Sequence, residues 1–192
     1  MTSLTMNRLS ARTVTVVDYD PAWPTQFADL RSRILRAIGS VAVSVEHVGS
    51  TSVPGLAAKP IIDIDVVVAS VVDVTLAIGR LAALGYVHRG NLGIEGREAL
   101  DSPTGLPAHH LYVCVRGSTA LENHMTVRDY FRRHSDAVET YGMLKKRLAE
   151  QFPEDVERYT GGKTDFLLGV LREAGFPESV LTSIGDVNRT KS

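Results

Sequence analysis

An α/β fold with a helical C-terminal layer is predicted by three patterns in this 192-residue chain. Residues 41–48 and 61–68 are rich in Val and Ile, which is typical of buried strands. Residues 23–38 repeat apolar side chains every three or four positions, which indicates a helix with one buried face. From about Ala120 onward the pattern is helical throughout. The sequence therefore predicts a sheet with helices against it, followed by a helical second half.

The other elements follow in order between Gly and Pro residues. Thr13 to Val17 is predicted as a short β-rich run, and the first helix begins at Trp23 and ends at Gly39. Residues 86–100 are predicted as a two-stranded ribbon with a Gly-containing turn, and residues 110–115 as a strand. Further helices are predicted over residues 73–84, 120–134, 135–151 and 163–174. One domain over residues 12–176 is expected, with loose ends at residues 1–11 and 185–192.

The composition excludes several classes of protein. Hydrophobic residues make up 44% and charged residues 22%, so the chain is not a disordered one. Lys and Arg number 21 against 22 Asp and Glu, so no overall field exists to hold an anionic membrane, and nucleic acid is an unlikely partner. A single cysteine, Cys114, excludes an intramolecular disulfide. No apolar run approaches the length of a membrane helix, and residues 1–10 lack the apolar core of a signal peptide, so a cytoplasmic protein is expected.

Two aspartates interrupt the second Ile/Val-rich strand. Asp63 and Asp65 are two positions apart, so their side chains leave the same face of the strand with Cα atoms about 7 Å apart. Two carboxylates on one apolar strand repel each other unless a cation or hydrogen-bond donors neutralise them. The pair is therefore a candidate site for Mg²⁺ (or Mn²⁺) bound together with a phosphate ligand. The alternative is that one aspartate caps a helix or pairs with Lys59 while the other faces solvent.

A loop of small residues precedes this strand. Gly49 and Ser50 follow the first Val-rich strand, where a backbone without a side chain and a hydroxyl group allow close approach of phosphate oxygens. Twelve residues separate Ser50 from Asp63, which is enough for the loop to fold back beside the carboxylates.

A Gly-Ser pair followed by Asp-x-Asp on the next strand resembles the signature of the nucleotidyltransferase superfamily with the polymerase-beta-like fold. Residues 47–64, HVGSTSVPGLAAKPIIDI, are similar to the hallmark stretch of the GrpB family. Further family-like segments lie at residues 20–23, 109–111, 128–130 and 159–163. The resemblance implies a nucleotidyltransferase-like mixed sheet flanked by helices, with a C-terminal helical layer. Some members of the family are fused to dephospho-CoA kinase.

The resemblance implies roles for particular residues. Asp63 and Asp65 would be the catalytic and metal-binding pair, and the candidate nucleotide-binding residues are His47, Gly49, Ser50, Thr51, Lys59, His110, Arg128 and Lys163. Gly49 and Ser50 would position phosphates, while Arg128 would reach across a cleft. Each basic residue also has an ordinary structural interpretation: a strand-end histidine at His47, and surface charges at Arg128 and Lys163.

One departure concerns the third carboxylate, which the superfamily usually carries on a later strand. The corresponding strand here has His110, which could bind a metal or a phosphate, and Tyr112, where the GrpB family tends to have a second histidine. The histidines of the chain share no spacing typical of a zinc site.

Two functions remain open from the sequence. The first is a metal-dependent nucleotidyltransferase-like enzyme that acts on a nucleoside triphosphate and a small-molecule acceptor. The second is a non-catalytic module that binds a nucleotide or phospho-ligand and partners an enzyme of coenzyme-A or nucleotide metabolism. The sequence does not determine the oligomeric state.

Overall fold

A five-stranded mixed sheet forms the centre of the protein, whose computed structural model describes residues 13–189. The strands are β1 (Ala42–Val48), β2 (Ile62–Val68), β3 (Val87–Gly90), β4 (Arg97–Asp101) and β5 (His109–Val115). Their order in the sheet is β1-β2-β5-β4-β3, in which β2 and β5 are parallel and the other neighbours are antiparallel. The parallel pair therefore lies at the centre of the sheet.

Seven α-helices surround the sheet within the described residues. The helices are α1 (Trp23–Ile38), α2 (Val71–Ala82), α3 (Thr119–Arg133), α4 (Ser135–Gln151), α5 (Val156–Gly161), α6 (Thr164–Glu173) and α7 (Glu178–Arg189). Short 3₁₀ turns follow α1 (Gly39–Val41) and β1 (Ser50–Ser52). Between residues 13 and 189, none of the helices combines the length and the apolar composition that crossing a bilayer requires.

The two faces of β2 differ in chemistry because successive side chains of a strand point to opposite sides. Ile62, Ile64 and Val66 are buried in the main core with apolar side chains of α1 and α2. The opposite face carries Asp63 and Asp65, and α3 packs there through a small cluster around Val67. The apolar core thus lies on one side of the sheet and the acidic pair on the other.

The helical half has a core of its own, built on stacked aromatic rings. Phe131 stacks on Tyr141 with ring centroids 4.9 Å apart, and Tyr141 stacks on Phe166 at 5.0 Å. Val53 and Leu56, from the loop after β1, are buried in the same cluster. The loop between β1 and β2 is therefore fixed by the helical half as well as by the sheet.

The predicted α/β class, with a mixed sheet, flanking helices and a helical C-terminal layer, is confirmed. Two helices, α5 and α7, were not expected from the sequence pattern. Residues 185–189, predicted as a loose end, form the end of α7, whereas residues 1–11 lie outside the described part. The predicted β-rich run from Thr13 to Val17 forms one bridge, between Val17 and Ala58, and the amide of Val14 donates to the carbonyl of Pro153.

Candidate active site

The acidic pair of β2 lies on one face of the sheet, and each carboxylate is bonded to a histidine. Asp63 is opposite Val48 on β1 and His110 on β5. The Asp63 side chain is 29% exposed, and its Oδ1 lies 2.9 Å from Nδ1 of His110. Asp65 is fully buried, and its Oδ2 lies 2.8 Å from Nδ1 of His124 on α3. One oxygen of each carboxylate is thus hydrogen-bonded to an imidazole.

The turn after β1 brings the backbone directly against Asp63. Gly49 has φ 68° and ψ −172°, a region of backbone space that is almost restricted to glycine. A Cβ at this position would lie 2.8 Å from Cγ of Asp63 and would overlap its Oδ2. Only glycine therefore allows the loop to fold back over the carboxylate, which places Ser50 on the same side of the sheet.

Lys145, on α4, contacts the side chain of Ser50. Its side chain is 2% exposed, its Nζ donates to Oγ of Ser50 over 2.8 Å, and it lies 4.7 Å from the ring centroid of Tyr141. Burial lowers the pKa of Lys145 to about 6, and repulsion from Lys163 acts in the same direction. The amine of Lys145 is therefore largely uncharged at neutral pH.

Lys163 lies near Lys145, and Lys59 lies near Lys163, and we name the three residues the lysine cluster (Lys59, Lys145, Lys163). Nζ of Lys163 and Nζ of Lys59 lie 4.3 Å and 5.6 Å from the ring centroid of Tyr159. Burial, with a contribution from Lys59, lowers the pKa of Lys163 to about 8. No ion pair joins the cluster to a carboxylate of residues 13–187. Such a group of unpaired amines can bind an anion with several oxygens.

His47 and Thr51 fix the loop from the opposite side of the sheet. His47 is buried with its ring stacked on Phe27 at 4.6 Å, and its Nε2 lies 3.0 Å from Oγ1 of Thr51. The Thr51 hydroxyl donates its only proton to the carbonyl of Ile61, so His47 Nε2 is the donor in the other bond. Burial lowers the pKa of His47 to about 4. These contacts hold the loop after β1 in place, and they engage the Nε2 atom of His47 and the hydroxyl of Thr51, both predicted as nucleotide-binding residues.

Arg128 joins α3 to the edge of the sheet. It is buried, and it donates to the carboxylate of Glu46 at 3.1 Å, to the carbonyl of His47 at 3.3 Å and to Asp129 at 2.7 Å. The guanidinium of Arg128 is thus hydrogen-bonded to protein groups on several sides. The expectation that Arg128 reaches across a cleft to a ligand gains no support from these contacts, which make it a clamp between α3 and β1.

Sequence reasoning missed Lys145 and His124, although the helical period carried a signal for both. Lys145 lies four residues after Tyr141 and three before Leu148, so it falls on the buried stripe of α4. His124 lies three residues after Leu121 and four before Arg128, which are buried on α3. A lysine or histidine on an apolar stripe is a candidate for a specific partner.

The acidic pair supplies part of the set of oxygen ligands that a divalent cation needs. Asp65 Oδ1 is buried without a hydrogen-bond partner, and Asp63 Oδ2 is not used by His110, so two carboxylate oxygens remain. The residues opposite them on β5 are His110 and Tyr112, and no third acid lies there. Among the described residues, no group of three or more His, Cys, Asp and Glu side chains could hold a metal ion. Mg²⁺ held by the pair would need water and phosphate oxygens to complete its coordination shell. This is the usual coordination of Mg²⁺ in phosphate-binding sites.

A groove of about 770 Å³ lies on the other side of the loop, between the start of α1 and the α3–α4 junction. Aromatic and basic side chains line it, among them Tyr19, Phe27, Arg132 and Arg133. Neither aspartate of β2 lines this groove, so it is separate from the site around Asp63.

Comparison with known proteins agrees with this architecture. A solved structure, described as the structural basis for the activity of a cytoplasmic RNA terminal U-transferase, superposes with a TM-score of 0.51 at 14% identity, covering 79% of this chain and 47% of that one. The fold is therefore nucleotidyltransferase-like. The family model described as GrpB protein matches residues 13–173, and the chain belongs to the GrpB family.

Two relatives show the extent of the family match. The crystal structure of conserved protein GrpB from Enterococcus faecalis has 34% identity and a TM-score of 0.76, covering 83% of this chain and 96% of that one. UPF0157 protein YqkA of Bacillus subtilis is 34% identical over 156 residues, which is 81% of this chain but 46% of that protein. The chain thus spans about half the length of that curated relative.

Proposed function

We propose that this chain is a metal-dependent nucleotidyltransferase-like enzyme that acts on a nucleoside triphosphate and a small-molecule acceptor. The observation that carries the proposal is the hydrogen bond from Lys145, a member of the lysine cluster, to Ser50 in the loop beside Asp63. The nucleotidyltransferase-like fold is compatible with the same chemistry and does not identify a substrate.

The charge balance of the site favours a polyphosphate. Among the residues that the structure describes, none of the three amines forms an ion pair with a carboxylate, and Asp63, the acid that acts on Lys145 and Lys163, already interacts with His110. A triphosphate carries several negative charges and many acceptor oxygens, so it would neutralise the cluster and accept its hydrogen bonds. The absence of a side chain at Gly49 allows such a ligand to approach the backbone.

Each group has a role in this proposal. Ser50 and the lysine cluster bind the phosphates, and Asp63 and Asp65 are the residues that would hold Mg²⁺ through their remaining oxygens. A divalent cation bound there would neutralise charge on the phosphates and on the leaving pyrophosphate. The acceptor oxygen or nitrogen forms a bond to the α-phosphorus and loses its proton to solvent, while the bond from that phosphorus to the bridging oxygen breaks and pyrophosphate leaves with its electron pair. The net charge of −1 favours a small acceptor over RNA.

Thermal unfolding with ATP, CTP, GTP and UTP, each with and without Mg²⁺, tests the binding. We expect at least one nucleotide to stabilise the protein in a metal-dependent way, and pyrophosphate release with a suitable member of an acceptor panel. Asp63→Asn should abolish both effects. Asp101→Asn is the matched control, because Asp101 is an exposed strand carboxylate away from the site. Lack of stabilisation by all four nucleotides would exclude the proposal.

A non-catalytic phosphate-binding module is the second candidate, and the observation that favours it is the pair His110 and Tyr112 opposite the two aspartates. Without a third acid the site could retain binding and lack turnover. Nucleotide binding that depends on Asp63 but releases no pyrophosphate with any acceptor would support this candidate.

A further inference from the structure

We propose that Lys145 is a proton-coupled phosphate ligand: it is uncharged when no anion is bound and takes up a proton when a phosphate oxygen binds beside Ser50. This inference rests on the proposed function, since it concerns the phosphate-binding part of the same site. It goes beyond that function because it makes the affinity for the anion depend on proton uptake at one identified residue.

The contacts of Lys145 are those of an amine held away from water. Ser50 is its hydrogen-bond partner, and the Tyr141 ring covers it on its own helix. A hydroxyl group can accept a hydrogen bond from a neutral amine, although a weaker one than from an ammonium, so this contact does not require a charge. A buried ammonium without a carboxylate partner would be costly.

The charged groups around Lys145 also oppose its protonation. The charged groups that act on Lys145 from neighbouring elements are Lys163, before α6, and Asp63 on β2. Asp63 favours the ammonium form, but one of its oxygens already interacts with His110. The repulsion from Lys163 outweighs the attraction of Asp63, so these charges and the burial both favour the neutral amine.

A bound phosphate reverses this balance. Its negative charge lies near the Ser50 hydroxyl and favours the ammonium forms of both lysines. Because the pKa of Lys145 is about 6 and that of Lys163 about 8, Lys145 accounts for most of the proton uptake at pH 7.5. A charged amine appears there only when the anion is present to neutralise it.

Isothermal titration calorimetry with tripolyphosphate at pH 7.5 tests the inference. The apparent enthalpy, measured in several buffers of different ionisation enthalpy, gives the number of protons taken up. We expect wild-type protein to take up about one proton more than Lys145→Arg, because arginine stays charged. Lys146→Arg is the matched control. Lys146 is the next residue on α4 and is exposed against Asp18, so this variant should keep the wild-type value.

The outcomes separate the inference from the proposed function. Tight binding of tripolyphosphate with the same proton uptake in wild type and Lys145→Arg would overturn the inference and leave the phosphate site intact. No binding by wild type would overturn both. Lys145→Met provides a second variant should arginine not fit the buried site: it should also lose the extra proton and bind at least tenfold more weakly.

Discussion

Replacement of Gly49 by alanine tests whether the turn must approach Asp63 as closely as the structure requires. Two costs add. The backbone at φ 68° and ψ −172° strains any residue other than glycine by about 1–3 kcal/mol. The new methyl group also overlaps the Asp63 carboxylate and forces a shift that costs about 1–3 kcal/mol. We therefore expect Gly49→Ala to lower the free energy of unfolding by about 3 kcal/mol, or the melting temperature by about 6–12 °C.

Gly55→Ala separates the two costs, because Gly55 has φ 79° but a Cβ there would meet nothing within 4 Å. We expect this control to cost only the backbone strain, about 1 kcal/mol by urea unfolding. Combining Gly49→Ala with Asp63→Ala should recover about 1 kcal/mol or more of coupling energy, since the carboxylate is gone. If Gly49→Ala costs no more than Gly55→Ala, the close approach of the turn to Asp63 is wrong.

Three further predictions concern buried polar groups. Folding lowers the pKa of Lys145 from 10.5 to about 6, so the unfolded chain binds more protons between these values and stability rises with pH across that window. In urea unfolding from pH 6.5 to 8.5, Lys145→Met should remove up to about 1.4 kcal/mol per pH unit of this rise; an unchanged slope would contradict the burial of the amine. His124→Ala leaves buried Asp65 without its partner and should cost about 2–3 kcal/mol, against less than about 1 kcal/mol for His88→Ala in an exposed pair; equal losses would refute the difference. Burial raises the pKa of the Cys114 thiol, so a thiol reagent should label it only after unfolding, and rapid labelling of the native protein would show that it is accessible.

The strands and the first helix could be predicted because their signals are local. The Ile/Val-rich run of β2 identifies a buried strand, and its two aspartates identify the polar face. Trp23, Leu30 and Ile34 repeat at helical spacing and are buried as the period requires. In such segments the spacing of the apolar side chains along the sequence directly predicts which of them are buried.

The partners in the site could not be predicted because they depend on how the helical half docks. Lys145 meets Ser50 across 95 residues of sequence, and His124 meets Asp65 across 59. Helical periodicity shows that both residues lie on buried stripes, but it does not show which surface those stripes cover. Arg128 is a different case. As a basic residue it could bind an anionic ligand, but its hydrogen bonds hold α3 against β1.

The helical half is therefore part of the site and does not simply shield the sheet. The sheet and its following loop supply Asp63, Ser50 and Lys59, which form an acid, a hydroxyl and one amine. The helical half supplies two of the three amines, Lys145 on α4 and Lys163 between α5 and α6, and the imidazole on Asp65. The same helices bury Val53 and Leu56 of the loop in their aromatic core, so docking of the helices helps to fix the conformation of the loop. If the proposed function is right, phosphate binding depends on this docking, and a substitution that loosens it should weaken phosphate binding without changing any of the proposed phosphate-binding residues.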